Sequence, residues 1–317
     1  MTQILRIAGV QMAPIWGDKK ATLEKVIENL KEAAQKGADI AAFGEGLVPG
    51  YPFWLSDTHA SKFEDAIQKE IHAHYMDQAV DIAAGDLNAL CEKCTEHQIA
   101  CYLGVIERAG DRAGHSLYCS LVYISKDGNI LSVHRKLMPT YEERLAWSIG
   151  DGHGLKVHDL GGFKVGGLNC WENWMPLARA SMYAQGESLH IAVWPGGLHN
   201  TENLTPVIAK EGRLYAMSVS GVMRSSDYPD DLPHRDYIVA HAAPVMANGG
   251  SCIAGPNGKW LVAPVDDQEQ IIYADIDASV VRQERQNFDP SGHYSRPDVF
   301  QLSVNRKRQK LVEFTDD

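Results

Sequence analysis

Apolar and polar positions follow two rhythms along this chain, and the switches between them mark its elements. Residues 5–12 are a nearly unbroken apolar run, the pattern of a strand covered on both faces. Residues 21–36 instead set Leu23, Val26, Ile27, Leu30, Ala33 and Ala34 at helical spacing. A short buried strand at 40–43 runs into Gly44-Glu45-Gly46, and the spacing predicts a helix over 77–96 followed by a strand over 99–106. Apolar runs at 117–125 and 130–134, separated by Asp127-Gly128, read as a hairpin. The alternation continues with a strand at 163–169, a helix at 174–185, a strand at 189–194, a helix at 205–217 and a strand at 219–224. A second hairpin joins 251–254 to 260–264 through Pro256-Asn257-Gly258, and a strand at 271–276 with a helix at 279–286 closes the body. Hairpins mixed with helices argue for an α/β chain of layered sheets covered by helices, not a purely parallel doubly wound sheet. No repeat, low-complexity tract or Pro/Gly-rich linker interrupts the pattern. Residues 1–317 therefore read as one domain with a short tail from about residue 301.

The hydrophobic content of 44% over 317 residues is enough for a large core. A formal charge of −11 argues against a nucleic-acid or anionic-membrane surface. No segment reaches the roughly 18 apolar residues of a membrane span, and no basic-then-apolar leader precedes the first strand. Six cysteines without a dense framework fit reduced thiols, so the expected address is cytoplasmic.

Charged and nucleophilic side chains at three predicted strand ends change the picture. Glu45 follows the strand at 40–43, Lys136 follows the strand ending at 134, and Cys170 follows the strand at 163–169. Most buried cysteines are inert small hydrophobes. Cys170 differs because its strand ends in small residues and a helix-like segment follows, a turn that exposes the sulfur and aims N–H groups at it to favour thiolate. A carboxylate to take the proton, a thiol to attack and an ammonium to hold developing negative charge form an acyl-transfer set. Of the aromatics near these segments, Tyr51 and Trp171 are the first candidates for pocket walls, with Trp54 and Trp194 beside them; Phe53 and Trp147 lie close in sequence too.

The local words also carry a resemblance. Phe43-Gly44-Glu45, Arg135-Lys136-Leu137-Met138-Pro139-Thr140 and Asn169-Cys170-Trp171-Glu172-Asn173 resemble the nitrilase superfamily of carbon–nitrogen hydrolases. Pro49-Gly50-Tyr51-Pro52-Phe53-Trp54, Glu143-Arg144 and the run from Asp289 to Asp298 look like its nitrilase branch. The likeness spans about residues 4–300 in order. It implies a four-layer αββα sandwich, a homo-oligomer in which sheets of two subunits extend one another, and a Glu–Lys–Cys triad at Glu45, Lys136 and Cys170. The family's second glutamate, which holds the lysine, maps by spacing onto Glu143 and not the adjacent Glu142. The implied activity is hydrolysis of a small organic nitrile to acid and ammonia through a Cys170 thioimidate and acyl-enzyme, with no metal or organic cofactor. Trp171 and Glu172, beside the thiol, are expected at the substrate and narrow the electrophile toward a nitrile. The same triad could serve an amidase or a cyanide-hydrolysing enzyme, and a non-catalytic binding protein could keep the fold.

The chain departs from the branch at Met217-Ser218-Val219-Ser220-Gly221-Val222-Met223-Arg224, where many nitrilases carry an acidic and Cys-rich sequence, which bears on substrate preference and assembly contacts. Cys91-Glu92-Lys93-Cys94 lies within a helical pattern and has no second Cys pair at zinc-like spacing. His293 could lie near the pocket, at a subunit contact, or serve only structure. No glycine run has phosphate-loop spacing.

Overall fold

A computed structural model describes residues 4–313 and 315 of the chain. Strand β1 (Ile4–Gln11) leads into helix α1 (Lys19–Gln35), capped by Asp18, whose side chain accepts from the Ala21 N–H. There follow β2 (Ile40–Phe43), the short α2 (Trp54–Asp57), α3 (Ala66–Asp77), α4 (Asn88–His97), β3 (Ala100–Arg108), β4 (Leu117–Ile124) and β5 (Ile130–Arg135). The second half runs β6 (His158–Leu160), β7 (Phe163–Asn169), α5 (Pro176–Tyr183), β8 (Leu189–Trp194), α6 (Leu198–Thr201) and α7 (Leu204–Gly212). It ends with β9 (Tyr215–Ser220), β10 (Val222–Arg224), α8 (Arg235–His241), β11 (Val245–Ala254), β12 (Trp260–Asp266), β13 (Gln270–Asp277) and α9 (Ala278–Glu284).

Two sheets result. One has the order β13-β1-β2-β3-β4-β5, with β1, β2 and β3 parallel; the other runs β10-β11-β9-β8-β7-β6, with β7, β8 and β9 parallel and β12 paired to β11. The period-two alternation of side chains sorts each strand between two layers. Leu5 and Ile7 of β1 join Ile40, Ala42 and Tyr102 in a core shared with Val165, Ile191 and Met217 of the opposite sheet. Ala8 and Val10, on the other face, pack under Val26 and Leu30 of α1 and Leu90 and Cys94 of α4. Beyond the second sheet, Ala192, Trp194 and Ala216 lie beneath Leu204 and Ile208 of α7. The layers are thus helix, sheet, sheet, helix, the αββα sandwich.

The structure corrects two helix assignments. The helix expected over 77–96 exists only from Asn88; Gly85, at φ 91°, and the Asp86 side chain, which accepts from the Asp81 N–H, make a turn before it. Its predecessor α3 escaped detection because only Ile71 and Tyr75 of its twelve residues are buried. The helix expected over 205–217 ends at Gly212, where Arg213 takes a left-handed conformation and the Leu214 N–H turns back to the Ala209 carbonyl. Tyr215–Ser220 then pairs in parallel with Leu189–Trp194, so the tertiary ladder overrides a helical spacing that ran past its cap. The helix expected over 174–185 is α5, which Pro176 starts; a 3-10 turn over Cys170–Trp174 links it to Cys170.

The described part of the tail, 301–313, has no regular structure but docks on the body. Asp151 accepts from the Arg308 guanidinium at 3.0 Å and from the Gln309 N–H at 2.9 Å. No helix among the described residues is long and apolar enough to cross a membrane.

Candidate active site

The carboxyl ends of β2 and β7 point to the same end of the sandwich. Glu45 leaves β2 with its N–H bonded to the Trp194 carbonyl at the end of β8, 3.1 Å away. This tie crosses from one sheet to the other and seats the carboxylate between them. The crossing requires close backbone approach. A Cβ added to Gly104 on β3 would lie 2.1 Å from the Gly44 carbonyl oxygen, and one added to Gly44 would lie 3.2 Å from that of Trp194.

Lys136 continues from β5 and is 1% exposed. Its Nζ lies 2.8 Å from Glu45 Oε1 and 2.7 Å from Glu143 Oε2. Glu143 sits in the 3-10 turn Tyr141–Leu145, and its carboxylate also closes a capping box by accepting from the Thr140 N–H at 2.6 Å. Its second oxygen accepts from the Tyr51 hydroxyl at 2.6 Å. Glu142, by contrast, is only half-buried and makes none of these bonds. Side-chain ligand atoms of Glu45, Glu143 and Cys170 all lie within 4.8 Å of one another. A trio of this kind could hold a metal ion, but the Lys136 ammonium already bonds both carboxylates and supplies the cation. The structure therefore brings together Glu45, Lys136, Cys170 and Glu143 from four separate segments.

Cys170 occupies the sharp turn between β7 and the 3-10 segment, at φ 44° and 4% exposed. A left-handed backbone is costly for a residue with a Cβ, of order 1–3 kcal/mol, and persists where the surroundings dictate it. Here Asn173 Nδ2 donates to the Cys170 carbonyl at 2.8 Å. Asn173 Oδ1 in turn meets His190 Nε2 at 2.7 Å, and His190 Nδ1 meets Glu187 Oε1 at 2.8 Å.

Burial dominates the electrostatics. It pushes Glu45 up to about 7, against the pull of Lys136, with Glu143 adding to the rise. Burial would also discharge Lys136, yet the anionic forms of Cys170, Glu45 and Glu143 outweigh it and hold the ammonium well above the ordinary lysine range. Cys170 is raised well above an ordinary thiol by burial and then by Glu45, with Lys136 and the Trp171 N–H only partly compensating. The expectation that the turn favours a resting thiolate is thus corrected. The favoured resting form is the thiol, and attack needs a base beside it.

The expected pocket walls divide. Trp171 is 55% exposed next to the thiol. Tyr51 borders a narrow cleft with Glu45, Phe53, Pro195, Val222 and Met223, although its hydroxyl is committed to Glu143. Trp54 does not reach the cleft; it is buried edge-on against Trp16 and Tyr75. Trp194 is fully buried, its Nε1 bonded to Ser218, and it supports Glu45 through its carbonyl. Glu172 is a third correction. It is 1% exposed and its carboxylate is consumed by His134, the Leu137 N–H and the Asn169 N–H, leaving nothing for a substrate.

Sequence reading missed Cys119, whose Sγ donates to Glu45 Oε1 at 3.5 Å; Trp147, named there only as an aromatic near the motif segments, has its ring 5.6 Å from Lys136 Nζ. Cys119 sits inside β4 among apolar residues, where nothing local distinguishes a site neighbour from core. The departing segment ends at the cleft, with Val222 and Met223 on its wall. Cys94 is buried in the helix–sheet core and His293 is exposed beside Tyr294.

Comparison with known proteins places these observations in context. The family model described as carbon–nitrogen hydrolase matches residues 6–286. "Nitrilase 2" of an unknown prokaryotic organism is 36% identical over 96% of this chain and 94% of its own length. "Nitrilase 2" of Arabidopsis thaliana is 34% identical over 98% and 91%. Among solved structures, a carbon–nitrogen hydrolase from Helicobacter pylori G27 superposes with a TM-score of 0.70 at 21% identity, covering 93% of this chain and 96% of that one, and shares the fold.

Proposed function

The chain belongs to the carbon–nitrogen hydrolase family, in its nitrilase branch, and from that premise we propose that it hydrolyses an organic nitrile to the carboxylic acid and ammonia. The observation that carries the chemistry is the Lys136 ammonium held at 2.8 Å from Glu45 and 2.7 Å from Glu143, beside a strained, buried thiol.

In this reading Glu45 is the general base and Cys170 the nucleophile. A carboxylate whose proton affinity is pushed up to about 7 can take a thiol proton and return it at neutral pH. The proton passes to Glu45 as Sγ bonds the nitrile carbon. Negative charge developing on the nitrogen is met by Lys136 and the Trp171 N–H, the nitrogen takes the proton, and a thioimidate forms. Water, deprotonated by Glu45, adds to that carbon; the tetrahedral species releases ammonia and leaves a thioester. A second water cleaves the thioester to the acid and restores the thiol. Glu143, locked by Tyr51 and Thr140, keeps Lys136 charged and placed. Electrons and protons balance with two waters and this chain's own side chains.

Assembly and location extend the proposal. Trp174 at the end of the 3-10 turn and Leu177 in the first turn of α5, exposed by 50% and 67%, are large apolar groups that self-association would cover, so we read the protein as a homo-oligomer. Six free cysteines fit a reducing, cytoplasmic setting.

The test is ammonia and acid release over aliphatic nitriles, aryl nitriles, arylacetonitriles, cyanide and the matching amides. Acid from nitriles is expected. Hydrolysis of amides or cyanide alone, with every organic nitrile inert, overturns the reading in favour of those activities. No turnover and no Cys170 adduct across the panel would leave a binding protein of the same fold.

A further inference from the structure

Lys136 and Cys170 ride on different sheets. Lys136 extends β5, the edge of the six-stranded sheet, whereas Cys170 extends β7 of the seven-stranded one. Apolar contact between sheets resists separation but is non-directional, so it sets the spacing of two reacting groups only loosely. Catalysis needs tighter control, since a misplacement of about 1 Å can cost about 100-fold in rate.

One carboxylate spans the gap. Glu172, two residues past Cys170, accepts from the Asn169 N–H through Oε2 at 2.8 Å, which ties it to its own elbow. Its Oε1 accepts from the Leu137 N–H at 2.6 Å, one residue past Lys136. His134, two residues before Lys136, places Nε2 at 3.1 and 3.0 Å from the two oxygens. The bonds to one group thus bracket the nucleophile's turn and the lysine's strand. Glu172 and His134 are 1% and 2% exposed, so water does not compete. Gly154 closes against the His134 backbone so tightly that a Cβ there would lie 2.2 Å from the His134 Cα, which seats this residue of β5 firmly.

We propose that Glu172 and His134 are positioning residues that set the distance between the Lys136 ammonium and the Cys170 sulfur. The inference rests on the reading of those two groups as cation and nucleophile. A simple structural role predicts lost stability, whereas a positioning role predicts a change in the chemistry of Cys170 itself. Glu172→Gln keeps the shape but turns an amide N–H₂ toward a donor that needs an acceptor. It should lower kcat about 100-fold with KM changed less than about 3-fold. His134→Gln, which keeps an N–H near Nε2, should retain more activity than His134→Leu.

Alkylation of Cys170 by iodoacetamide as a function of pH needs no substrate and separates this inference from the nitrile assignment. Drawing Lys136 away removes its stabilisation of the thiolate, so the midpoint of alkylation should move to higher pH in Glu172→Gln. Glu107→Gln is the control for destabilisation, because it cuts a buried carboxylate bonded to Arg135 that does not touch the site. An unshifted midpoint in Glu172→Gln, or an equal shift in Glu107→Gln at matched Tm loss, overturns the proposal. A wild type that turns over no nitrile, together with a raised alkylation midpoint in Glu172→Gln, would overturn the functional reading and support this one.

Discussion

At the residue scale, the site combines groups whose ordinary states burial would reverse. Glu45 retains protons up to about pH 7 because desolvation outweighs Lys136. As the base it must be ionised, so kcat/KM should rise about tenfold per pH unit from acid pH and level near 7, a limb that a pH–rate profile would reveal. Glu45→Gln should abolish turnover at every pH; a variant that keeps the limb would remove Glu45 as its source. Cys170→Ala should lose at least about 10³-fold in kcat and all covalent adduct by intact-mass measurement. Lys136→Met would leave two carboxylates facing each other without their cation. Breaking one side of a buried ion pair costs about 3–5 kcal/mol, so a fall in denaturant midpoint should accompany the loss of activity. Cys170, Lys136 and Glu45 were legible in the sequence because each stands at a strand end in a distinctive local word. Glu143 was separated from Glu142 only by spacing, and its burial follows from the turn that also caps Thr140. Tyr51 was visible as an aromatic, but its bond to Glu143 links residues 92 positions apart and could not be read from either neighbourhood.

At the element scale, turns carry more of the design than propensity does. Gly104 lies where β3 passes the exit of β2, and its missing Cβ makes room for the Gly44 carbonyl. Gly104→Ala should cost about 1–3 kcal/mol by overpacking and should also displace Glu45, so stability and kcat should fall together in denaturant and rate measurements. Gln98, the left-handed C-cap of α4 at φ 52°, is an exposed strain with no tie to the site. Gln98→Gly should raise stability by about 0.5–1 kcal/mol with unchanged kinetics, read as a higher Tm. The misplaced end of α7 has the same origin. The apolar period continued past Gly212, and only the left-handed Arg213 and the pairing of β9 with β8 divided helix from strand. Period is a local signal; the partner strand is not.

At the scale of the whole molecule, a sheet built on β1–β5 and edged by the returning β13 meets face to face the sheet of the remaining strands, and the site lies where their strand ends cross. The crossing explains why the cluster needs a backbone tie from Glu45 to Trp194 and a side-chain tie at Glu172. It also places the exposed Trp174 and Leu177 just beyond the nucleophile's turn. Leu177→Glu should dissociate the oligomer in sedimentation velocity, because a charge within an apolar contact is left without a partner. A wild type that sediments as a monomer would remove that part of the proposal.

Alternating apolar runs determine the strands, and the distinctive words around Glu45, Lys136 and Cys170 determine the family and the chemistry to look for. These are properties of residues near in sequence, where steric preference and periodicity act. Which aromatics wall the cleft and which are core, whether the resting thiol is ionised, and how Glu172 is used were decided by the tertiary structure alone. Each depends on desolvation and hydrogen-bond partners brought together by packing, and the free energy of a charge or a donor is set by that surrounding rather than by its place in the chain.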